Sequence, residues 1–199
     1  MTLVKTTTPG LWENPAWDQT KPGVFTMIIG VSEFSNLNNT EESYNLGQLQ
    51  VSATTAYHFF DWLSNKYKLE NVQVAKCWML LSPTAEEIAQ LAELEGHHIP
   101  TLANCEDAIA SWFVTMQNLP DDVSLKSRSL FFYSGHGLQV QHNKQVLLPQ
   151  DYLSDTVKNV NKAISTANLS NGLRALKVPR HFFFLDACRD DNQKLNDLD

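Results

Sequence analysis

A histidine and a cysteine each follow directly after an apolar, aromatic-rich segment of the chain. His136 closes the segment Leu130-Phe-Phe-Tyr-Ser-Gly-His, and Cys188 closes the segment His181-Phe-Phe-Phe-Leu-Asp-Ala-Cys. A cysteine thiolate is a strong nucleophile toward a carbonyl carbon, and a neighbouring imidazole is its usual activator. Because parallel strands end at one edge of a sheet, two such strands bring these side chains together. The pattern predicts a Cys–His dyad, which is the chemistry of a cysteine peptidase.

Glycines flank the histidine on both sides. Gly135 and Gly137 allow a sharp turn and a close approach to a substrate. The backbone amides of Gly137 and Cys188 are therefore candidates for an oxyanion hole. A single cysteine after a strand is more commonly a small core residue, and a single histidine is usually structural. The local setting of both residues favours the catalytic interpretation here.

Composition limits the class of protein. The chain has 199 residues, of which 43% are hydrophobic, and this suits one domain with a substantial core. Its net charge of −7 and its lack of a Lys/Arg cluster argue against nucleic acid or an anionic membrane as the main partner. The N-terminal residues MTLVKTTTPGLWENP lack the apolar core of a secretory signal, and the absence of a run of 18 apolar residues argues against a membrane-spanning segment.

The remaining cysteines and histidines fit structural or solvated roles. An odd number of cysteines (Cys77, Cys105 and Cys188) argues against a disulfide framework or a zinc cluster. We expect structural roles for Cys77 and Cys105. The pair His97 and His98 provides too few ligands for a metal, so no metal site is predicted. A reducing, cytoplasmic location is expected, because a reactive thiol persists there.

The elements that must position the dyad alternate between strands and helices. Apolar runs predict strands at 24–31, 72–81, 129–133 and 180–186, and a hairpin at 138–148. Helices are predicted from Leu46 to about Lys66, from the capping pair Thr84 and Glu87 to Gly96, from Asn104 to before Pro120, and at 165–176. This order predicts an α/β fold with a mostly parallel sheet covered on both faces. We expect residues 1–23 to be an N-terminal leader and residues 24–199 to be one domain.

Two motifs resemble the catalytic signatures of caspase-like cysteine peptidases, that is, caspases, metacaspases and paracaspases. These motifs are Tyr133-Ser-Gly-His-Gly137 and Leu185-Asp-Ala-Cys-Arg189. Residues 24–31 also resemble the first core strand of that family, and residues 46–53 the start of its first helix. The resemblance covers residues 24–190, and the Asp-Ala-Cys-Arg form is similar to prokaryotic members.

The resemblance implies a three-layer αβα sandwich and a protein substrate. By this likeness His136 is the base, Cys188 is the nucleophile that forms a thioacyl-enzyme, and the amides of Gly137 and Cys188 form the oxyanion hole. It further implies a role in regulated cell death, defence or signalling. No cofactor is implied, and a calcium requirement stays open.

The same resemblance identifies candidate residues of the substrate pocket. Asp-specific caspases carry Gln at the position of Asp186. The family members that cut after Arg or Lys carry Asp there, as this chain does. Ser134 aligns with a pocket-lining serine, whereas Ser52 stands where those members have Asp. A basic or uncharged residue before the scissile bond is therefore expected in preference to Asp. Alternatively, Asp186 is a buried carboxylate that orients the neighbouring loop.

Caspase-like folds continue beyond the cysteine with further strands, whereas only a polar tail follows Cys188 here. We therefore expect a large-subunit portion whose sheet is incomplete at its C-terminal edge. A missing C-terminal segment or small subunit is the expected partner of the strand at 180–186. Another hypothesis is a caspase-like interaction module with little or no turnover. A serine hydrolase that uses Ser134 is disfavoured, because the sequence has no Gly-x-Ser-x-Gly motif.

Overall fold

A computed structural model describes residues 3–140, 144–154 and 162–188 of the chain. The strands are β1 (Val4–Lys5), β2 (Leu11–Glu13), β3 (Gly23–Val31), β4 (Gln73–Ser82), β5 (Arg128–Ser134), β6 (Gly137–Val140), β7 (Lys144–Leu147), β8 (Ile164–Ser165) and β9 (His181–Asp186). The α-helices are α1 (Ser52–Asn65), α2 (Ala85–Gln90), α3 (Leu102–Gln117), α4 (Asp121–Ser124) and α5 (Thr166–Arg174). Short 3-10 turns occupy Glu41–Ser43 and Ala92–Leu94.

The main sheet has the strand order β1-β2-β4-β3-β5-β9. Its four long strands β4, β3, β5 and β9 pair in parallel, as the sequence predicts. Every residue of β3 is buried, which is typical of a parallel strand covered on both faces. In the described part of the chain, β9 forms one edge of this sheet.

Helices cover both faces of the sheet and complete three layers. On one face, residues of α1 such as Ala53, Ala56 and Leu63 pack with Val24 and Ile28 of β3. On the other face, residues of α3 and α5 pack against Phe25, Met27 and Ile29. The predicted α/β sandwich with a mostly parallel sheet is confirmed.

Two short strands lie within residues 1–23, and the sequence does not predict them. β2 pairs antiparallel with β4, and β1 pairs antiparallel with β2. Leu3 and Leu11 of this region are buried in the two apolar clusters. Strands of two and three residues are too short to produce a recognisable alternation in the sequence.

A second, three-stranded sheet with the order β6-β7-β8 begins directly after His136. β6 and β7 pair antiparallel, which confirms the predicted hairpin. The tip of that hairpin, at residues 141–143, lies outside the described residues. Because β6 starts at Gly137, this sheet continues the chain from the predicted catalytic histidine.

The predicted start of the first helix is wrong. α1 begins at Ser52, not at Leu46, because the backbone of residues 46–49 bonds to a preceding loop. Leu49 N donates to Ser32 O at 2.8 Å, and Asn39 N donates to Leu46 O at 2.8 Å. These bonds use the groups that a helix would need for its own ladder.

Two further helix boundaries differ from prediction. Thr101, not Asn104, is the N-cap of α3, because its hydroxyl accepts the Asn104 N–H at 3.2 Å. α2 ends at Gln90, and a 3-10 turn carries the chain onward before Gly96. The predicted capping pair of Thr84 and Glu87 is confirmed at the start of α2.

Candidate active site

The predicted dyad residues follow two neighbouring strands. β5 and β9 run parallel, with Ser134 opposite Asp186, and the chain continues from these strand ends to His136 and Cys188. His136 is half-buried, whereas Cys188 is exposed. The sheet topology therefore delivers both residues to the same edge, as the sequence predicts.

Gly137 brings the two segments into direct contact. A Cβ atom at this position would lie 2.7 Å from the carbonyl oxygen of Cys188 and 3.1 Å from the Cβ of Ala187. Gln145 on β7 also donates from Nε2 to the Cys188 carbonyl at 3.4 Å. Only glycine fits at position 137 without pushing the cysteine segment away.

The imidazole of His136 is held by a loop that precedes α1. Its Nε2 lies 2.8 Å from the carbonyl oxygen of Gly47. A carbonyl oxygen only accepts hydrogen bonds, so Nε2 is the donor in this bond. The ring of Phe34 packs against the imidazole, with centroids 5.0 Å apart and planes inclined by 38°.

The backbone of His136 is fixed by a buried tyrosine. The hydroxyl of Tyr133 lies 2.8 Å from the carbonyl oxygens of both His136 and Leu148, and the Leu148 N–H donates to His136 O at 3.0 Å. Burial raises the pKa of Tyr133 well above its ordinary value, so the hydroxyl stays protonated as a donor. A Cβ on Gly135 would lie 2.6 Å from this hydroxyl, which explains the glycine there.

Gly47, Phe34 and Tyr133 are site residues that sequence reasoning missed. Gly47 contributes a backbone carbonyl, which no side-chain pattern reports. It also lies in residues 46–51, whose apolar spacing predicts a helix that the structure does not contain. Phe34 lies between the strand predicted at 24–31 and the helix predicted from Leu46, outside every predicted element.

The orientation of the Gly137 amide is compatible with an oxyanion hole. In an antiparallel pair, hydrogen-bonded and non-hydrogen-bonded residue pairs alternate. Leu148 N bonds to His136 O, so the next pair, Gly137 and Leu147, is of the non-bonded type. The Gly137 N–H therefore points away from β7. Its function in an oxyanion hole, together with the amide of Cys188, stays a prediction.

The pocket candidates divide into a bonded pair and a separate residue. Ser134 is buried, and its Oγ donates to Oδ2 of Asp186 at 2.8 Å. Asp186 is exposed, so the alternative of a buried carboxylate is wrong, although its hydrogen bond to Ser134 is present. Ser52 is buried at the start of α1, and within the described chain it forms no hydrogen bond to either residue.

The three cysteines differ sharply in exposure. Cys77 on β4 and Cys105 on α3 are fully buried, and burial raises the pKa of both thiols. Cys188 is exposed. Burial of Cys77 and Cys105 agrees with their predicted structural roles, and it leaves Cys188 as the thiol that a substrate can reach.

His97 has structural surroundings. His97 Nε2 bonds to the carbonyl oxygen of Glu93 at 2.9 Å, and its ring lies near those of Trp12 and Tyr57. Burial lowers its pKa. Across residues 3–140, 144–154 and 162–188, no group of three or more His, Cys, Asp or Glu side chains is arranged to hold a metal ion. In the same residues, no helix is long and apolar enough to cross a membrane.

Comparison with known proteins assigns a family to this arrangement. The family model described as the caspase domain matches residues 25–199, which is most of the chain. The match contains both the histidine and the cysteine segments. No curated protein matches the chain.

Proposed function

The chain belongs to the caspase-domain family of cysteine peptidases, and on this premise we propose that it is an endopeptidase with Cys188 as nucleophile and His136 as base. The observation that carries the proposal is the contact between the histidine and cysteine segments at Gly137. The exposure of Cys188 and the anchored imidazole of His136 support it further.

The reaction follows from these groups. Nδ1 of His136 takes the proton of the Cys188 thiol, and the thiolate sulfur attacks the carbonyl carbon of the scissile bond. The Gly137 and Cys188 amides stabilise the negative oxygen of the tetrahedral intermediate. The His136 proton then passes to the leaving amine, and a thioacyl-enzyme remains. Water, deprotonated by the same imidazole, hydrolyses the thioester and restores the thiol. Because the thiol and the imidazole supply both nucleophile and base, we propose that no cofactor is needed.

Two substitutions test the dyad. Cys188→Ala is expected to abolish peptide cleavage, and His136→Ala to reduce it by about a hundredfold or more. Cys77→Ala is the matched control, and it is expected to retain turnover in the fraction that folds. Iodoacetamide is expected to label Cys188 faster than the buried thiols. Full turnover in the Cys188 variant, or equal labelling of all three cysteines, would contradict the peptidase proposal and favour an interaction module.

The pocket is proposed to accept a basic or uncharged residue before the scissile bond. The exposed carboxylate of Asp186 supports this preference, because it attracts a cation and repels an anion. Ser134 donates a hydrogen bond to one oxygen of Asp186, and Ser52, at the start of α1, is a further candidate residue of the pocket lining.

Peptides that differ only in that residue test the preference. Cleavage after Arg or Gln is expected to exceed cleavage after Asp, and Asp186→Asn is expected to reduce kcat/KM for the Arg peptide selectively. Asp122→Asn, at an exposed acid on α4, is the control for loss of one negative charge. Efficient cutting after Asp by the unaltered protein would refute the pocket argument.

We propose that the outer edge of β9 binds a further strand, supplied by a C-terminal segment or a small subunit. In the described residues this edge of the sheet has no neighbour, and the Phe182 and Phe184 side chains are each 43% exposed. An open aromatic edge strand favours pairing with another strand.

Adding such a segment in trans tests the proposed edge pairing. It is expected to increase turnover and to slow hydrogen exchange of the β9 amides. Unchanged exchange in the presence of the segment would contradict the pairing.

The proposed setting is the cytoplasm, where the enzyme would act in regulated cell death, defence or signalling. The three free cysteines support a reducing compartment. Localisation of a fluorescent fusion tests the compartment, and a loss-of-viability assay that compares the unaltered protein with Cys188→Ala tests the role.

A further inference from the structure

Gln48 links the two loops that contact the imidazole of His136. Its Oε1 accepts from the Phe34 N–H at 2.6 Å, and its Nε2 donates to the carbonyl oxygens of Phe34 at 2.9 Å and Leu37 at 2.8 Å. Both polar groups of the Phe34 peptide therefore bond to one side-chain amide. The amide substitutes for the neighbouring strand that this segment lacks.

Two contacts of the imidazole depend on this link. Gly47, which precedes Gln48, offers the carbonyl oxygen that bonds to Nε2. Phe34 offers the ring that packs against the imidazole face. A single side chain therefore fixes the acceptor on one loop relative to the aromatic ring on the other.

We propose that Gln48 is a positioning residue that holds the His136 imidazole in the orientation needed to activate Cys188. This inference rests on the proposed function, and it adds a residue outside the dyad and the pocket.

The chemistry of the link requires an amide. A primary amide offers one acceptor and two donors, which matches the three bonds observed. Glutamate has the same length but no donor, so it retains the bond to the Phe34 N–H and loses both bonds to carbonyl oxygens. Methionine has a similar length and forms none of the three. In either case Phe34 and the Gly47 carbonyl are free to shift relative to each other.

The test measures how fast iodoacetamide alkylates Cys188 at neutral pH and at about pH 10, where ordinary thiols are ionised. Loss of the correct imidazole orientation slows the neutral reaction, whereas loss of access to the thiol slows both. Because Cys77 and Cys105 are buried, the labelled site also reports whether the protein is folded.

For Gln48→Met we expect the neutral rate to fall by about tenfold, the scale of a modest misplacement of a reacting group, with an unchanged rate at high pH. For Gln48→Glu the neutral rate is expected to fall less, because this variant retains one bond. If iodoacetamide labels Cys77 and Cys105 in Gln48→Met, that variant does not fold, and the rate in Gln48→Glu then tests the proposal. Gln90→Met, at an exposed glutamine that ends α2, is expected to match the unaltered protein.

His136→Ala separates failure of this inference from failure of the proposed function. If His136→Ala slows the neutral reaction and the folded Gln48 variants do not, Gln48 has no positioning function. If alkylation of Cys188 in the Gln48 variants slows equally at both pH values, the inference is also overturned, because the substitution then limits access of iodoacetamide to the thiol. If His136→Ala itself leaves the neutral rate unchanged, the proposed base is wrong.

Discussion

One buried carboxylate connects the start of α1 with the start of α2. Glu87 is 2% exposed, and its Oε1 accepts from Thr54 N at 3.0 Å and from Thr54 Oγ1 at 2.9 Å. Its Oε2 accepts from Thr84 N at 2.9 Å. One backbone N–H at each of the two helix starts, which the helix itself leaves unpaired, therefore bonds to the same carboxylate.

Glu87→Gln changes this connection with almost no change in volume. The amide nitrogen replaces one acceptor oxygen, so at least one backbone N–H faces another donor. Losing a charge-assisted bond and leaving a buried donor unpaired is expected to cost about 2–3 kcal/mol in the free energy of unfolding. For a chain of this size that corresponds to a decrease of about 5–10 °C in Tm.

Urea unfolding in a Cys188→Ala background measures this loss without self-cleavage. Glu86→Gln is the matched control, because Glu86 is exposed on the same turn and is expected to change stability by less than about 0.5 kcal/mol. If the Glu87 and Glu86 variants unfold at the same urea concentration, the carboxylate does not connect the two helices energetically.

Three further predictions concern the packing of the domain, and each is tested by equilibrium unfolding in the same background. Gly30→Ala is expected to lower the free energy of unfolding by about 1–3 kcal/mol, because the new Cβ would lie 2.5 Å from the Cβ of Ala56. An unchanged unfolding midpoint would show that α1 moves away without cost. Tyr133→Phe is expected to lower the free energy of unfolding by about 1–2 kcal/mol, because it removes a bonded hydroxyl. The Tyr152 hydroxyl has no hydrogen-bond partner in the described chain, so Tyr152→Phe is expected to change stability very little. Equal losses in the two variants would contradict this reasoning. Burial lowers the pKa of His97, so the unfolded chain takes up its proton first as pH falls, and stability is expected to decrease below about pH 6.5. His97→Phe should weaken that decrease, and an unaltered pH profile in this variant would refute the assignment.

The parallel strands and the two catalytic candidates could be predicted because each has a strong local signal. The strand at 24–31 is a continuous apolar run, and His136 and Cys188 each follow an aromatic segment at the end of a strand. Parallel pairing then requires the two strand ends to share an edge. These conclusions need only the order of elements along the chain.

The support of the imidazole could not be predicted, because it depends on backbone groups and distant loops. Leu46 and Leu49 have helical spacing, yet their peptide groups bond to residues 32–39. The preference for these tertiary bonds over a helical ladder has no signature in local composition. Likewise, the short strand of Leu11–Glu13 exists because β4 offers it an edge, which is a property of the assembled sheet.

The order of the strands along the chain also determines when during synthesis the candidate site becomes complete. Ser127 Oγ accepts from Gly23 N, and this bond at the start of β3 and β5 spans 104 residues. Ser134 and Asp186, which join β5 to β9, are 52 residues apart. As the ribosome extends the chain, β3, β4 and β5 emerge before β9 does. The imidazole and its supporting loops therefore leave the ribosome before the cysteine, so the nascent chain is without its proposed nucleophile until every strand of the described sheet has been made.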